Sequence, residues 1–207
     1  MKNMITATAL ALIAGVAQAQ VPNVVGMPMK HAMISLDGTT GAIDVHLDGD
    51  TTERIELVRF PGESYDGAAS VLDGTFYGDR YGWLADGFIT LDPGLGVWVE
   101  LVDQSAGLRV YEGGMRMMRA NHTYAPILGT DGSGGAWQWS GAMTHNWYSV
   151  DTLGDYQVTY RVYVGDQQGN AVAGFTSDTV TFSFTAVPAP ATAALLGAGL
   201  LAGVRRR

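Results

Sequence analysis

Period-two alternation of large apolar and polar side chains most limits what this chain can become. In Tyr156-Gln157-Val158-Thr159-Tyr160-Arg161-Val162-Tyr163-Val164, one face carries Tyr156, Val158, Tyr160, Val162 and Val164. The other carries Gln157, Thr159, Arg161 and Tyr163. A helix would scatter both sets around its axis, so the segment reads as a β-strand with one buried face. The cluster Gly165-Asp166-Gln167-Gln168-Gly169-Asn170 turns the chain. Residues 179–185 return as a second strand, with Val180, Phe182 and Phe184 opposed to Thr179, Thr181, Ser183 and Thr185.

The same period recurs upstream. Residues 42–47 alternate, Asp48-Gly49-Asp50 forms a turn, and 54–60 returns as a strand. Residues 96–102 and 108–111 form another predicted strand pair, and 88–91 and 136–143 are further strand candidates. No long helix is predicted in the body; a short one fits within 62–81. Turn signals about every ten residues favour a sandwich or barrel over an α/β fold. Leu153-Gly154-Asp155-Tyr156 resembles the tyrosine corner of Greek-key sandwiches, in which a Tyr near a strand start bonds back to nearby backbone. The expected fold is therefore all-β, an immunoglobulin-like or related β-sandwich.

The two ends carry an address. Met1-Lys2-Asn3 is a short basic start, residues 4–16 are apolar, and Ala17-Gln18-Ala19 is a small-x-small cleavage box. That order is expected of a secretory signal peptide over residues 1–19, handled by the secretion machinery and signal peptidase. At the other end, Val187-Pro188-Ala189-Pro190 precedes an apolar run and a terminal Arg205-Arg206-Arg207. As a helix, residues 191–204 would reach only about 21 Å, against a hydrocarbon core of about 30 Å. The arginines would remain on the cytoplasmic side.

These three features together resemble the PEP-CTERM sorting tail, with Ala189 where the usual motif has Glu. The resemblance covers residues 187–207. It implies transient anchoring in the inner membrane by a short transmembrane helix. It also implies processing by an exosortase-type sorting protease, with the product at the cell surface or in the extracellular matrix. A plain C-terminal membrane anchor is the alternative reading of the tail. Between the ends, residues 20–186 have the length of one domain of ordinary size or two small ones, and are read as one β-sandwich body.

All 20 Asp and Glu fall in that body, against eight Lys and Arg, a net of −12. Such a surface repels phosphate backbones and argues against nucleic-acid binding. The absence of cysteine excludes disulfides, thiolate nucleophiles and cysteine zinc sites. The Gly-x-Ser-x-Gly elbow of serine hydrolases is absent, and Gly94-x-Gly96 runs straight into a strand rather than opening a helix. The body is read as non-enzymatic.

Four constellations remain. Trp137 and Trp139 share a face if 136–143 is a strand, and Trp147 and Tyr148 follow closely. Exposed, they form a platform for extracellular polysaccharide; buried, they are core. Asp44, His46 and Asp48 alternate towards one side, with Asp50 beyond them, as if to grip zinc or calcium or to form the polar face of a hairpin. His122 and His145 each border aromatic residues and form a second candidate pair for a divalent metal. Glu100 and Glu112 lie on predicted neighbouring strands, where a secreted carboxylate-dependent glycoside hydrolase would need them. The leading expectation is a non-enzymatic surface or matrix protein; a divalent-metal binder and a hydrolase are the alternatives.

Overall fold

The structure, a computed structural model, describes residues 21–26 and 28–188. The cleavage box at Ala17 and Ala19, the apolar N-terminal run, and the tail from Ala189 to Arg207 lie outside the described residues. Among the described residues, no helix is long and apolar enough to cross a membrane.

The described chain is mostly strand: β1 (Lys30–Leu36), β2 (Ile43–Leu47), β3 (Ile55–Arg59), β4 (Phe76–Gly78), β5 (Tyr81–Ala85), β6 (Gly96–Gln104), β7 (Arg109–Gly114), β8 (Pro126–Ile127), β9 (Ala136–Trp139), β10 (Thr144–Val150), β11 (Gly154–Gly165) and β12 (Asp178–Pro188). Only short 3-10 turns accompany them, at Gly67–Leu72, Arg116–Asn121 and Thr130–Gly132. All strands belong to one mixed sheet in the order β2-β1-β5-β10-β4-β3-β12-β11-β6-β9, with β7 and β8 branching from β10.

The all-β expectation holds, and the terminal hairpin forms as its pattern predicts. β11 and β12 pair antiparallel from Gly154 opposite Ala186 to Val162 opposite Asp178. The tyrosine corner is present: the Tyr156 hydroxyl donates to the Thr152 carbonyl at 3.0 Å and lies 2.7 Å from the Thr152 hydroxyl. β12 also continues through Val187 and Pro188, which lie beside Val58 and Arg59 of β3 in parallel register.

Several pairings differ from expectation. β2 does not fold back on β3; it pairs with β1, while β3 joins β12 and β4. β6 and β7 are not partners either, since β6 runs between β11 and β9 while β7 lies between β10 and β8. Residues 88–91 form no strand: Phe88 is fully exposed and only Ile89 and Leu91 touch the core. The 136–143 strand ends at Trp139, because residues 140–143 turn the chain into β10.

The sheet doubles back on itself. Tyr81 of β5 stacks flat on Phe182 of β12, with ring centroids 4.1 Å apart and planes 3° apart, although three strands separate β5 from β12 along the sheet. Trp83 meets Tyr160 at 5.5 Å and Phe182 at 5.1 Å across the same interior. One edge is drawn in by Ile43 and Gly41, which exchange backbone hydrogen bonds with Thr176 just before β12. The outer face of β4, β7 and β10 carries a second, smaller cluster of Tyr65, Leu72, Tyr77, Tyr111, Tyr124 and Trp147. Close approach there needs Gly113: a Cβ would fall 1.7 Å from the His145 carbonyl oxygen.

Tyr156→Phe removes the hydroxyl that ties the start of β11 to Thr152. The expected cost is about 1 kcal/mol, read as a drop in melting temperature of about 2–4 °C. An unchanged melting temperature would contradict a stabilising role for this corner.

Candidate functional site

β9 ends the path of the sheet, bonded to β6 on one side and to no strand on the other among the described residues. Its alternation sends Trp137 and Trp139 to the same face, but to different depths. Trp139 is buried in the core, and its indole N–H donates to the Ala142 carbonyl at 2.8 Å. Trp137 is half-buried at the rim, and its indole N–H donates to Glu112 Oε1 at 3.2 Å. The other oxygen of Glu112 accepts from the Thr123 hydroxyl at 2.7 Å. A carboxylate held by two donors fixes the orientation of the indole beside it.

Grooves flank β9 on both sides. One, of about 230 Å³, runs between Trp137, Gln138, Glu112 and the side-chain-free Gly113-Gly114 pair, with Met115 and Met143 at its edge. The other, of about 500 Å³, passes Ile89, Leu91, Leu95 and Trp139. Gln138 and Ser140 line both and are exposed. Apolar ring, carboxylate, amide and hydroxyl thus share one open strip.

The remaining aromatic candidates do not join it. Trp147 and Tyr148 are fully buried, Trp147 in the outer cluster and Tyr148 in the main core. The reason is their strand: β10 has neighbours on both sides and cover on both faces, so successive side chains on it are buried whichever way they point. Of the four-residue platform, only Trp137 reaches solvent. The facing pair Glu100 and Glu112 does not form either. Glu100 is ion-paired with Arg161 at 2.7 Å on the β6–β11 rung, whereas Glu112 belongs to β7.

The predicted metal residues also disperse. Asp44 and His46 point outward from β2 and pair with each other at 3.0 Å. Asp48 lies past the strand end and turns back to β1, accepting from the His31 backbone N–H at 2.6 Å and approaching His31 Nδ1 at 2.7 Å. Asp50 closes its own turn, accepting from the Thr52 backbone N–H at 2.8 Å and hydroxyl at 2.7 Å. His122 has both nitrogens engaged: Nδ1 accepts from the Trp147 indole at 2.9 Å and Nε2 donates to the Met115 carbonyl at 3.1 Å. It has no lone pair left for an ion, so the His122–His145 metal pair is not formed. Among the described residues, no three His, Asp or Glu side chains converge in a metal-binding arrangement.

Sequence reasoning missed the buried charge in the outer layer. Asp79, between β4 and β5, is fully buried. Arg116 Nε meets one of its carboxylate oxygens at 3.0 Å and Arg119 Nε the other at 3.4 Å. Its backbone carbonyl accepts from His145 Nδ1 at 2.8 Å. A lone Asp in an acidic chain gives no local signal of burial. Two arginines three apart before His122 hint at a shared partner, but do not identify it.

No protein-family model matches this chain, and no curated protein sequence matches it. Function must therefore be read from the geometry.

Burial holds His122 and His145 below the ordinary imidazole value of 6.5 and raises Tyr65 and Tyr124 to about 12 from 10.0. A depressed histidine contributes stability above its unfolded value that is lost as pH falls. A raised tyrosine contributes stability below its unfolded value that is lost as pH rises through the folded one. The urea midpoint is expected to be level near neutrality, to fall below about pH 6.5, and to fall again between 10.0 and about 12. A midpoint that stays level down to pH 5 would exclude the histidine contribution.

Proposed function

We propose that this chain is an exported, non-enzymatic binding protein of the cell surface or extracellular matrix, and that it takes a neutral polysaccharide chain along β9. The observation that carries this reading is the half-exposed indole of Trp137, fixed by Glu112 at the rim of a groove. A sugar ring offers one apolar face to such an indole, while the exposed Gln138 and Ser140 offer partners for its hydroxyls. The net charge of −12 across residues 20–186 disfavours polyanionic chains. The hydrolytic alternative has less support, since Glu100 is occupied by Arg161 and Glu112 by Trp137 and Thr123. The tyrosine corner and the β11–β12 hairpin support an immunoglobulin-like or related β-sandwich for the body.

Export and sorting rest on the two ends. The resemblance of residues 187–207 to a PEP-CTERM tail supports anchoring followed by exosortase-type processing. Val187 and Pro188 are the last two residues of β12. Cleavage beyond Pro188 would release the body with its sheet complete, whereas cleavage before Val187 would remove the two residues of β12 that pair with Val58 and Arg59 of β3.

Two measurements test these readings. In affinity electrophoresis against neutral polysaccharides, the native protein is expected to be retarded. Trp137→Ala should weaken binding about tenfold, the loss of roughly one stacking contact, and Gln138→Ala about threefold to tenfold, the loss of roughly one hydrogen bond. Because Gln138 is exposed, its variant keeps the fold; unaltered binding in both variants, or none by the native protein, would reject the groove. The intact mass of the released protein should place its new C-terminus after Pro188. A released form that retains Arg205, Arg206 and Arg207 would reject sorting by cleavage.

A further inference from the structure

Three adjacent strands bring two histidines together over one glycine. His31 of β1 stands opposite Gly82 of β5, and His145 of β10 stands opposite the same glycine from the other side. Directly opposed residues project to one face of a sheet, so both imidazoles rise on the same side. Gly82 leaves them the room: a Cβ there would lie 2.7 Å from both Nε2 and Cε1 of His145. The ring centroids are 5.3 Å apart and the planes 79° apart.

The hydrogen bonds of the two rings match. His31 Nδ1 is held by Asp48 Oδ2 at 2.7 Å, and His145 Nδ1 donates to the Asp79 carbonyl at 2.8 Å. Each Nε2 is buried and has no hydrogen-bond partner among the described residues. With Nδ1 carrying the proton, each Nε2 presents a lone pair. Burying two unpaired acceptors side by side is costly unless something shares them. A ring whose Nδ1–H is fixed by a carboxylate or backbone carbonyl, and whose Nε2 is free, has the outer-sphere support typical of metal-ligating histidine.

The spacing suits an ion as well. Metal–nitrogen bonds of about 2.0–2.1 Å at a tetrahedral angle place the centroids of two rings sharing one ion about 5.2 Å apart. The His31 side chain keeps 14% of its surface, an entry for solvent, while His145 is fully enclosed. Nearby charge is balanced, with Asp48 and Asp79 against Arg116 and Arg119, both of which are engaged by Asp79.

We infer that His31 and His145 bind one borderline transition-metal ion of the Zn²⁺ class through their Nε2 atoms, with Asp48 and the Asp79 carbonyl as outer-sphere supports and water completing the coordination. Imidazole donors select such ions over calcium and magnesium. The site is independent of the β9 groove and differs from the residue sets expected from sequence, which contain His145 without its partner.

The full chain, stripped with chelator and titrated with Zn²⁺, is expected to bind one equivalent and to melt at a higher temperature when loaded. The ¹⁵N resonances of His31 and His145 Nε2 should move on loading, and those of His46 should not. His31→Gln should lose at least tenfold in Zn²⁺ affinity, and His46→Gln, altered at an exposed ring, should lose none. Absence of saturable binding, Nε2 resonances that do not move in the native protein, or full affinity in His31→Gln would each overturn the site. The resonance readout is made on the native chain and decides the question even where a variant fails to fold.

Discussion

The packing of β5 against β11 and β12 is the contact on which the rest of the molecule depends. With no cysteine in the chain and no long helix among the described residues, the apolar face of the sheet must be buried on the sheet itself. Tyr81 and Trp83 do this by meeting Tyr160, Phe182 and Phe184 across the interior. All five rings are essentially inaccessible to water. Each such ring removes 150–250 Å² from solvent, and offset or edge contacts add roughly 0.5–1.5 kcal/mol per pair. Once Tyr81 and Trp83 face inward, period two sends Gly82 outward. The outward row His31–Gly82–His145 is thus a geometric consequence of how the core closes.

The outer layer has a different physics. A fully buried carboxylate is tolerated only with close partners, and Asp79 has two guanidiniums. These same arginines belong to the Arg116–Asn121 strap, so the ion pairs hold that strap in place, where the Arg119 carbonyl accepts from the Tyr124 hydroxyl at 3.3 Å. Arg116 also donates to the Val25 carbonyl at 2.7 Å, tying the N-terminal segment to the cluster. Losing one member of such a cluster typically costs about 3–5 kcal/mol, because the remaining charges stay buried. The Asp79 carbonyl meanwhile fixes the His145 ring. The charge cluster, the strap and the histidine pair are therefore one connected unit.

The groove along β9 follows from the opposite condition, a strand left with an open edge. Glu112 on β7 closes part of that gap by holding the Trp137 indole. The sequence pattern marks Trp137 and Glu112 separately, one as a platform residue and the other as an acid, without suggesting that they touch. Depth along a strand is equally hidden. Trp137 and Trp139 have the same periodicity, yet one is at the rim and the other in the core, since only the second lies beneath the turn at Ser140–Ala142. Trp147 and Tyr148 disappear from the surface because β10 is covered on both faces.

About half of the strands are legible in the amino-acid pattern, whereas β1, β4, β5, β8 and β10 are not. Alternation identified β2, β3, β6, β11 and β12, the glycine- and aspartate-rich clusters identified their turns, and Tyr156 identified the corner. These are local properties, encoded in the period of side chains and the freedom of turn residues. Which strands lie side by side is settled by packing in three dimensions. A period of two states which face a residue occupies on its own strand, but not which strand stands next to it. The parallel pairs β1–β5 and β3–β12 join segments far apart in the chain, and their register is set by how the aromatic core closes rather than by any turn. His31, Gly82 and His145 carry no common motif; they meet because three distant strands were brought into one register.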